Sequence, residues 1–116
     1  MAVSAPTAAT PASGADAFRL VAQAEGAFAA QGPLTFAAAR AARLLGRRAL
    51  AGAARNDLQF DCAQVTAADS AGLAVLLDWL AAAKHSGRSL RFAHLPEGLL
   101  ALGRISEVEE LLTRGV

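Results

Sequence analysis

Short apolar segments alternate along this chain with longer segments in which apolar residues recur at helical spacing. Residues 18–23 and 27–31 have the pattern of two short strands, and Glu25 and Gly26 between them predict a β-hairpin. Further strands are predicted at 58–62 and 90–93, and helices at 36–53, 70–85, 96–105 and 107–113. Because strands alternate with helices, we predict an α/β fold whose sheet is mostly parallel after the hairpin.

The second predicted helix has two different faces when each residue is advanced by about 100° around its axis. One face carries Leu73, Leu76, Leu77 and Leu80, and we expect it to pack in the core. The opposite face carries Ala71, Val75, Asp78, Ala82 and His85, with Trp79 on its flank. Val75 beside a half-exposed Trp79 would form an apolar surface that another protein could cover, since tryptophan is favoured at interface centres. Alternatively, Trp79 packs in the core against the third helix.

A small polar turn precedes this helix. Asp69 or Ser70 can accept hydrogen bonds from the free N–H groups of the first helical turn, so either is a candidate N-cap. Gly72 leaves the turn without a side chain, which lets another backbone or a partner surface come close. In the first helix, we expect Leu44, Leu45 and Leu50 to supply the buried face.

Composition limits the classes of partner. The 116 residues include 11 basic and 10 acidic side chains, a formal net charge of +1 that gives no electrostatic footprint for nucleic acid. Four arginines spaced three to four apart could form a basic stripe on the first helix, although we favour an ordinary solvated face. These are Arg40, Arg43, Arg47 and Arg48, and Arg55 lies close by in sequence.

We expect one domain, residues 18–116, after a flexible tail at 1–17 that is rich in Ala, Ser, Thr and Pro and lacks the features of a secretory signal. The longest apolar run, residues 71–83, contains Asp78 and is shorter than the ~20 residues that span a membrane. The expectation is therefore a soluble, cytoplasmic protein without direct membrane insertion.

The histidine, serine and cysteine residues of this chain do not form a recognisable catalytic or metal-binding motif. His85 and His94 lie in no metal-binding motif, and we expect His94 to be a strand-end residue that bonds to a loop. There is no phosphate loop, and Ser70 has no evident histidine base. Cys62 shares the inward face of its strand with apolar neighbours, which predicts a buried thiol. We predict no catalytic residue, no metal and no cofactor, and therefore no enzyme.

The segment D-S-A-G-L-A-V-L-L-D-W-L, from Asp69 to Leu80, resembles the D-[ST]-x-G-L-x-x-L-L signature of STAS domains, the family of sulfate-transporter tails and anti-sigma-factor antagonists. G-P-L-T-F from Gly32 and the segment from Gly87 to Leu112 are similar to the MlaB-type branch, so the resemblance covers about residues 18–113. It implies a STAS-like fold: an N-terminal hairpin, then alternating helices and strands in a mixed, mostly parallel sheet of four or five strands, with helices chiefly on one side.

The resemblance also implies a function. In the MlaB-type branch, the start of the second helix docks against the ATPase subunit of an ABC transporter that moves phospholipids between the membranes of a Gram-negative envelope. The expectation is thus an accessory subunit of the Mla type, peripheral to the inner membrane through its partner. The partner-binding residues would be Asp69, Ser70, Ala71, Gly72, Val75, Asp78 and Trp79.

Two alternatives stay open. In the anti-sigma-factor antagonists, a kinase-type anti-sigma factor phosphorylates a hydroxyl that is often at the second position of D-S-[ST]-G, where this chain has Ala71. Ser70 is the only hydroxyl residue in the turn and remains the candidate phosphorylation site. A small-molecule or anion site at the helix start is the other alternative, and the charge of Asp69 opposes it.

Overall fold

The computed structural model describes residues 17–116, so the predicted flexible tail lies outside the described residues except for Ala17. The described chain contains four strands and four helices. In chain order they are β1 (Arg19–Ala24), β2 (Ala27–Leu34), α1 (Phe36–Gly52), β3 (Asp57–Ala68), α2 (Ser70–His85), β4 (Ser89–Ala93), α3 (Glu97–Ile105) and α4 (Glu109–Arg114). None of these helices is long and apolar enough to cross a membrane.

The sheet confirms the predicted topology. Its order is β1-β2-β3-β4, with β1 antiparallel to β2 and both remaining pairs parallel. The hairpin turns at Gly26, whose φ of +77° lies in the left-handed region that glycine adopts without a Cβ clash. The parallel pairs are connected through α1 and α2, which are the crossover helices that parallel neighbours need.

Strand β3 is longer than the sequence pattern predicts. Inward and outward positions alternate from Asp57 to Cys62, but the pairing with β2 then shifts, because Ala29 faces Asp61 whereas Gln31 faces Gln64. An extra residue in one strand forms a bulge and moves the following side chains to the other face. The alternation is therefore lost after Cys62, although the strand continues to Ala68.

The core forms around Trp79, which is fully buried. Its ring lies 5.9 Å from Phe18, 5.3 Å from Phe60 and 6.5 Å from Phe92, measured between ring centroids. Its indole Nε1 donates to the carbonyl oxygen of Arg43 at 3.3 Å. Of the two expectations for Trp79, the half-exposed one is wrong and burial in the core is confirmed, with the tryptophan packed between the sheet and α1.

A glycine of α1 makes this packing possible. A Cβ built on Gly46 would lie 2.0 Å from the Trp79 Nε1, so only glycine allows the indole to fit against the helix. With α1 on its flank, α2 also buries Val75, which is 4% exposed, while Leu77 is only partly buried. The prediction that Val75 lies on an exposed face is wrong, because helices α1 and α3 pack against α2 in addition to the sheet.

The buried stripe of α1 agrees with the expectation at Leu50, while Leu45 is only partly buried. The stripe consists of Ala42, Gly46 and Leu50, spaced four residues apart, whereas Leu44 is 44% exposed. Two of these three residues, Ala42 and Gly46, are small, which lets α1 pack closely against α2. Cys62 is fully buried, as predicted.

Candidate functional site

Asp69 joins the end of β3 to the start of α2. Its Oδ1 accepts hydrogen bonds from the backbone N–H groups of Ala71 at 2.9 Å and Gly72 at 3.1 Å, which makes it the N-cap of α2. Its Oδ2 accepts a hydrogen bond from the N–H of Phe36, the first residue of α1, at 3.0 Å. One carboxylate therefore satisfies amides at the start of both helices, and of the two candidate caps the structure selects Asp69.

These amides stabilise the charged form of the carboxylate. The hydrogen bond from Phe36, followed by those from Gly72 and Ala71, holds the pKa of Asp69 below its usual range. A negative charge therefore occupies the position at the helix N-termini that a bound anion would otherwise take. The arrangement is unfavourable for an anion site at this turn.

Gly72 has a structural reason for lacking a side chain. A Cβ at this position would lie 2.0 Å from the carbonyl oxygen of Leu34 at the end of β2. The N–H of Asp69 donates to the same oxygen at 3.3 Å. The close approach expected at Gly72 is therefore made by the chain's own backbone, and Gly72 is buried.

Ser70 and Phe36 are the exposed members of this junction. Ser70 is the first residue of α2, and its hydroxyl makes no hydrogen bond to any residue in the range 17–116. Phe36 is 82% exposed, and Ala71 beside Ser70 is partly buried. Asp69 binds the backbone N–H of Phe36 and directly precedes Ser70, so the residues that carry the exposed ring and the free hydroxyl are both held at this carboxylate through their backbone.

Sequence reasoning did not single out Phe36. The available signal was its place directly after Thr35 at the start of a predicted helix, on the same helical face as Arg40. An aromatic residue on an exposed helical face indicates a possible contact surface for another protein.

Asp78 bonds to α1 rather than standing alone on α2. Its Oδ2 accepts from Arg47 Nε at 2.9 Å and its Oδ1 accepts from Arg47 Nη2 at 2.8 Å, while Arg43 Nε lies 3.3 Å from Oδ1. The hydrogen bonds from Arg47, with a smaller contribution from Arg43, lower the pKa of Asp78. Arg43 and Arg47 are thus held by an ion pair, which corrects the expectation that the basic stripe is only a solvated face.

His94 and Asp61 form a second polar pair. His94 Nδ1 lies 3.0 Å from the Oδ1 of Asp61, on the neighbouring strand rather than in a loop. The N–H of Ala63, and then His94, lower the pKa of Asp61. Within residues 17–116, no group of three His, Cys, Asp or Glu side chains could hold a metal ion.

The predicted site residues therefore separate into two groups. Ser70 and Ala71 lie at the accessible turn, and Asp69 caps it. Gly72, Val75 and Trp79 are buried, and Asp78 is engaged by two arginines. The accessible junction consists of Ser70, Ala71 and Phe36, which we call the Ser70 turn.

Comparison with known protein families identifies the family of this chain. A family model described as "Mlab, STAS domain" matches residues 20–113. The chain belongs to the MlaB-type STAS family. STAS domains are in general binding modules rather than catalysts.

Solved structures agree on the fold of this STAS domain. The anti-sigma factor antagonist SpoIIAA in its unphosphorylated form superposes with a TM-score of 0.64 at 14% identity, over 81% of this chain and 84% of SpoIIAA. The Bacillus cell fate determinant SpoIIAA in its phosphorylated form gives a TM-score of 0.61 at 14% identity, over 81% and 86%. At such low identity the likeness concerns the fold alone. Among curated proteins, none matches the chain.

Proposed function

We propose that this STAS domain is a non-enzymatic, MlaB-like subunit that binds and stabilises the ATPase subunit of a phospholipid-transporting ABC transporter. It would lie on the cytoplasmic face of the inner membrane, held there by its partner, and contribute to lipid asymmetry and outer-membrane maintenance. The observation that carries the proposal is the Ser70 turn, where Asp69 joins the backbone of Phe36, whose ring is 82% exposed, to the start of α2 with the unbonded hydroxyl of Ser70. Such a pair offers one hydrogen bond and one apolar contact to a protein surface.

The family match supports this partner class over a catalytic role. The model over residues 20–113 is the MlaB-type one. Ser70 has no histidine or other base within hydrogen-bonding distance among the described residues, so the hydroxyl is not activated as a nucleophile. Binding, rather than chemistry, is the use that this serine supports.

The runner-up is an anti-sigma-factor antagonist that binds a kinase-type anti-sigma factor. The fold shared with SpoIIAA in both its phosphorylation states supports this alternative. Against it, Ala71 lacks a hydroxyl, and a phosphate on Ser70 would place about −1.5 to −2 charges beside the ionised Asp69. A constitutive contact fits the turn better than a phosphate switch.

The experiment that tests the proposal is co-purification with the ABC transporter ATPase subunit from the same genome. Ser70→Gln removes the hydroxyl and adds bulk at the turn, and Ser106→Gln makes the same change at an exposed serine near the end of α3. We expect both variants to melt like the wild type and only Ser70→Gln to lose the ATPase subunit. Retention of the subunit by both variants would contradict the proposal.

Intact-mass measurement of the protein from its native cells separates the two partner classes. A constitutive ATPase subunit partner predicts a mostly unphosphorylated chain. A major species carrying one phosphate on Ser70, together with binding to a kinase-type anti-sigma factor, would support the antagonist instead.

A further inference from the structure

The exposed face of α1 has an unusual composition. Every exposed residue of this helix is Arg, Ala, Leu, Phe or Gly, so the face has no acidic and no uncharged polar side chain. The large side chains on it are Phe36, Arg40, Arg43, Leu44, Arg47 and Arg48. A solvated helix face normally mixes charges of both signs and polar residues. We call this surface the α1 face.

Charge on the α1 face is concentrated. Four arginines and no acid give α1 a formal charge of +4, whereas the whole chain carries +1, so the residues outside α1 are net negative. Asp78 neutralises part of this charge through Arg43 and Arg47. Arg40 and Arg48 have no hydrogen bond or ion pair with any described residue. The face therefore offers two free guanidinium groups and two that are already held in position.

The α1 face is continuous with the Ser70 turn. Phe36 belongs to both surfaces, and the 17 residues of α1 extend about 25 Å from it at 1.5 Å per residue. At the other end, a groove of about 480 Å³ runs between α1 and α2, with apolar walls formed by Leu50, Ala51 and Ala82. A ring, a row of arginines and an apolar groove thus follow one another along one side of the protein.

The size of a stable interface requires more than the Ser70 turn. A specific protein contact buries about 800 Å² on each partner. The three side chains of the Ser70 turn cannot supply that area. The partner's footprint must therefore extend over a neighbouring surface. The α1 face adjoins the turn and already has two arginines fixed by Asp78, which lowers the entropy cost of ordering them.

We propose that the protein bound at the Ser70 turn also covers the α1 face, through an acidic and partly apolar surface. Aspartate or glutamate side chains of the partner would pair with Arg40 and Arg48, and an apolar side chain would enter the groove between α1 and α2. This inference rests on the proposed function and names the chemistry of the partner surface. Anionic lipid headgroups offer the same charge, but a flat bilayer would not fill a groove between two helices.

The test compares two double variants with the same change in charge. Arg40→Glu/Arg48→Glu reverses the free arginines of the α1 face, and Arg91→Glu/Arg114→Glu reverses two exposed arginines on β4 and α4. Affinity for the purified ATPase subunit is measured by calorimetry at low and high ionic strength. We expect at least about a tenfold loss for the first variant, little change for the second, and a wild-type affinity that falls as salt screens the contact.

Rescue makes the result specific. Lysine substitutions at acidic surface residues of the ATPase subunit should restore binding to Arg40→Glu/Arg48→Glu and weaken binding to the wild type. If the melting temperature shows that the reversal has damaged the fold, Arg40→Gln/Arg48→Gln takes its place, with Arg91→Gln/Arg114→Gln as its control. We then expect Arg40→Gln/Arg48→Gln to lose affinity for the ATPase subunit, by a smaller factor than the charge reversal would.

Each contrary outcome is distinct. If Arg40→Glu/Arg48→Glu binds the ATPase subunit like the wild type while Ser70→Gln does not, the α1 face is not part of the contact and the proposed function stands. If both bind like the wild type, both proposals are wrong. Flotation with phosphatidylcholine vesicles containing phosphatidylglycerol tests the lipid alternative. Vesicle binding that is lost on arginine reversal, with ATPase binding intact, would assign the α1 face to lipid and overturn the inference.

Discussion

The carboxylate of Asp69 accepts the backbone N–H of Phe36 at 3.0 Å, although the two residues are 33 positions apart in the chain. The same carboxylate caps α2 through the amides of Ala71 and Gly72. This single side chain therefore fixes the start of α1 against the start of α2. The exposed ring of Phe36 and the hydroxyl of Ser70 owe their common placement to it.

Asp69→Ala should lower the melting temperature more than Asp57→Ala, an exposed aspartate at the start of β3. Three amides lose their acceptor in the first variant, whereas the side chain of Asp57 makes no hydrogen bond within the described residues. Hydrogen exchange should also become faster at the amides of Phe36, Ala71 and Gly72. Equal melting temperatures for the two variants would contradict this role of Asp69.

The fold and the bounds of α2 could be predicted because their signals are local. Turn residues, caps and apolar spacing lie within a few positions of the elements they define, as at Gly26 and Asp69. The burial of Trp79 was one of two alternatives, and such local signals could not decide between them. It depends on Gly46 of α1, 33 positions earlier, which has no side chain and so carries no hydrophobic signal.

The site was predicted only in part for the same reason. Ser70 and Ala71 lie at the turn as the motif indicates, but the position of Phe36 at this junction follows from a hydrogen bond to a carboxylate that is distant in sequence. The second face of α2 was expected to bind a partner protein, because the projection of one helix cannot show that another helix of the same chain packs against it. Val75, on that face, is only 4% exposed.

Gly72→Ala should destabilise the protein although alanine is the better helix former. The added Cβ would lie 2.0 Å from the carbonyl oxygen of Leu34, so β2 or α2 must shift, at a cost of about 1 to 3 kcal/mol. Gly98→Ala is the matched control, because nothing lies within 4 Å of its Cβ in α3. It should stabilise the protein by roughly 0.5 to 1 kcal/mol. Urea titration measures both, and changes of the same sign would contradict the argument.

Val75→Arg should unfold or strongly destabilise the protein. Val75 is 4% exposed, and a guanidinium placed there would be buried without a partner, which costs about 3 kcal/mol or more. Ala74→Arg, at the exposed neighbouring position of α2, should change the free energy of unfolding by no more than about 0.5 kcal/mol. Urea titration of the pair is the measurement. Near wild-type stability for Val75→Arg would place this residue on the surface after all.

Asp78 should contribute stability that disappears in acid. Its pKa is lowered in the folded state, chiefly by the hydrogen bonds from Arg47, so the folded protein binds its proton less readily than the unfolded chain does. This contribution to stability is present at pH values above the ordinary pKa of aspartate. It is lost as the pH falls from that value to the lower pKa of the folded state. Asp78→Asn should therefore melt below the wild type at neutral pH, and the gap should narrow in acid. A gap independent of pH would contradict the charge-based role.

Cys62 should be unreactive in the folded protein. Burial, and then the charge of Asp61, raise the pKa of the thiol to about 12, so almost no thiolate is present at neutral pH and the sulfur is also shielded from reagents. Because the chain contains a single cysteine, mass spectrometry after iodoacetamide treatment reports on this residue alone. We expect no label in native buffer and complete labelling in denaturant.

The raised pKa of Cys62 also predicts the sign of an alkaline effect. The folded state retains the thiol proton to a higher pH than the unfolded chain does, so stability declines as the pH rises from the ordinary thiol range towards about 12. Cys62→Ala should lose stability at neutral pH through the cavity it leaves, but its decline at high pH should be shallower than that of the wild type. Thermal melts across the alkaline range measure the two slopes. Parallel slopes, or rapid labelling of the native thiol, would show that Cys62 is accessible and ionises in the folded protein.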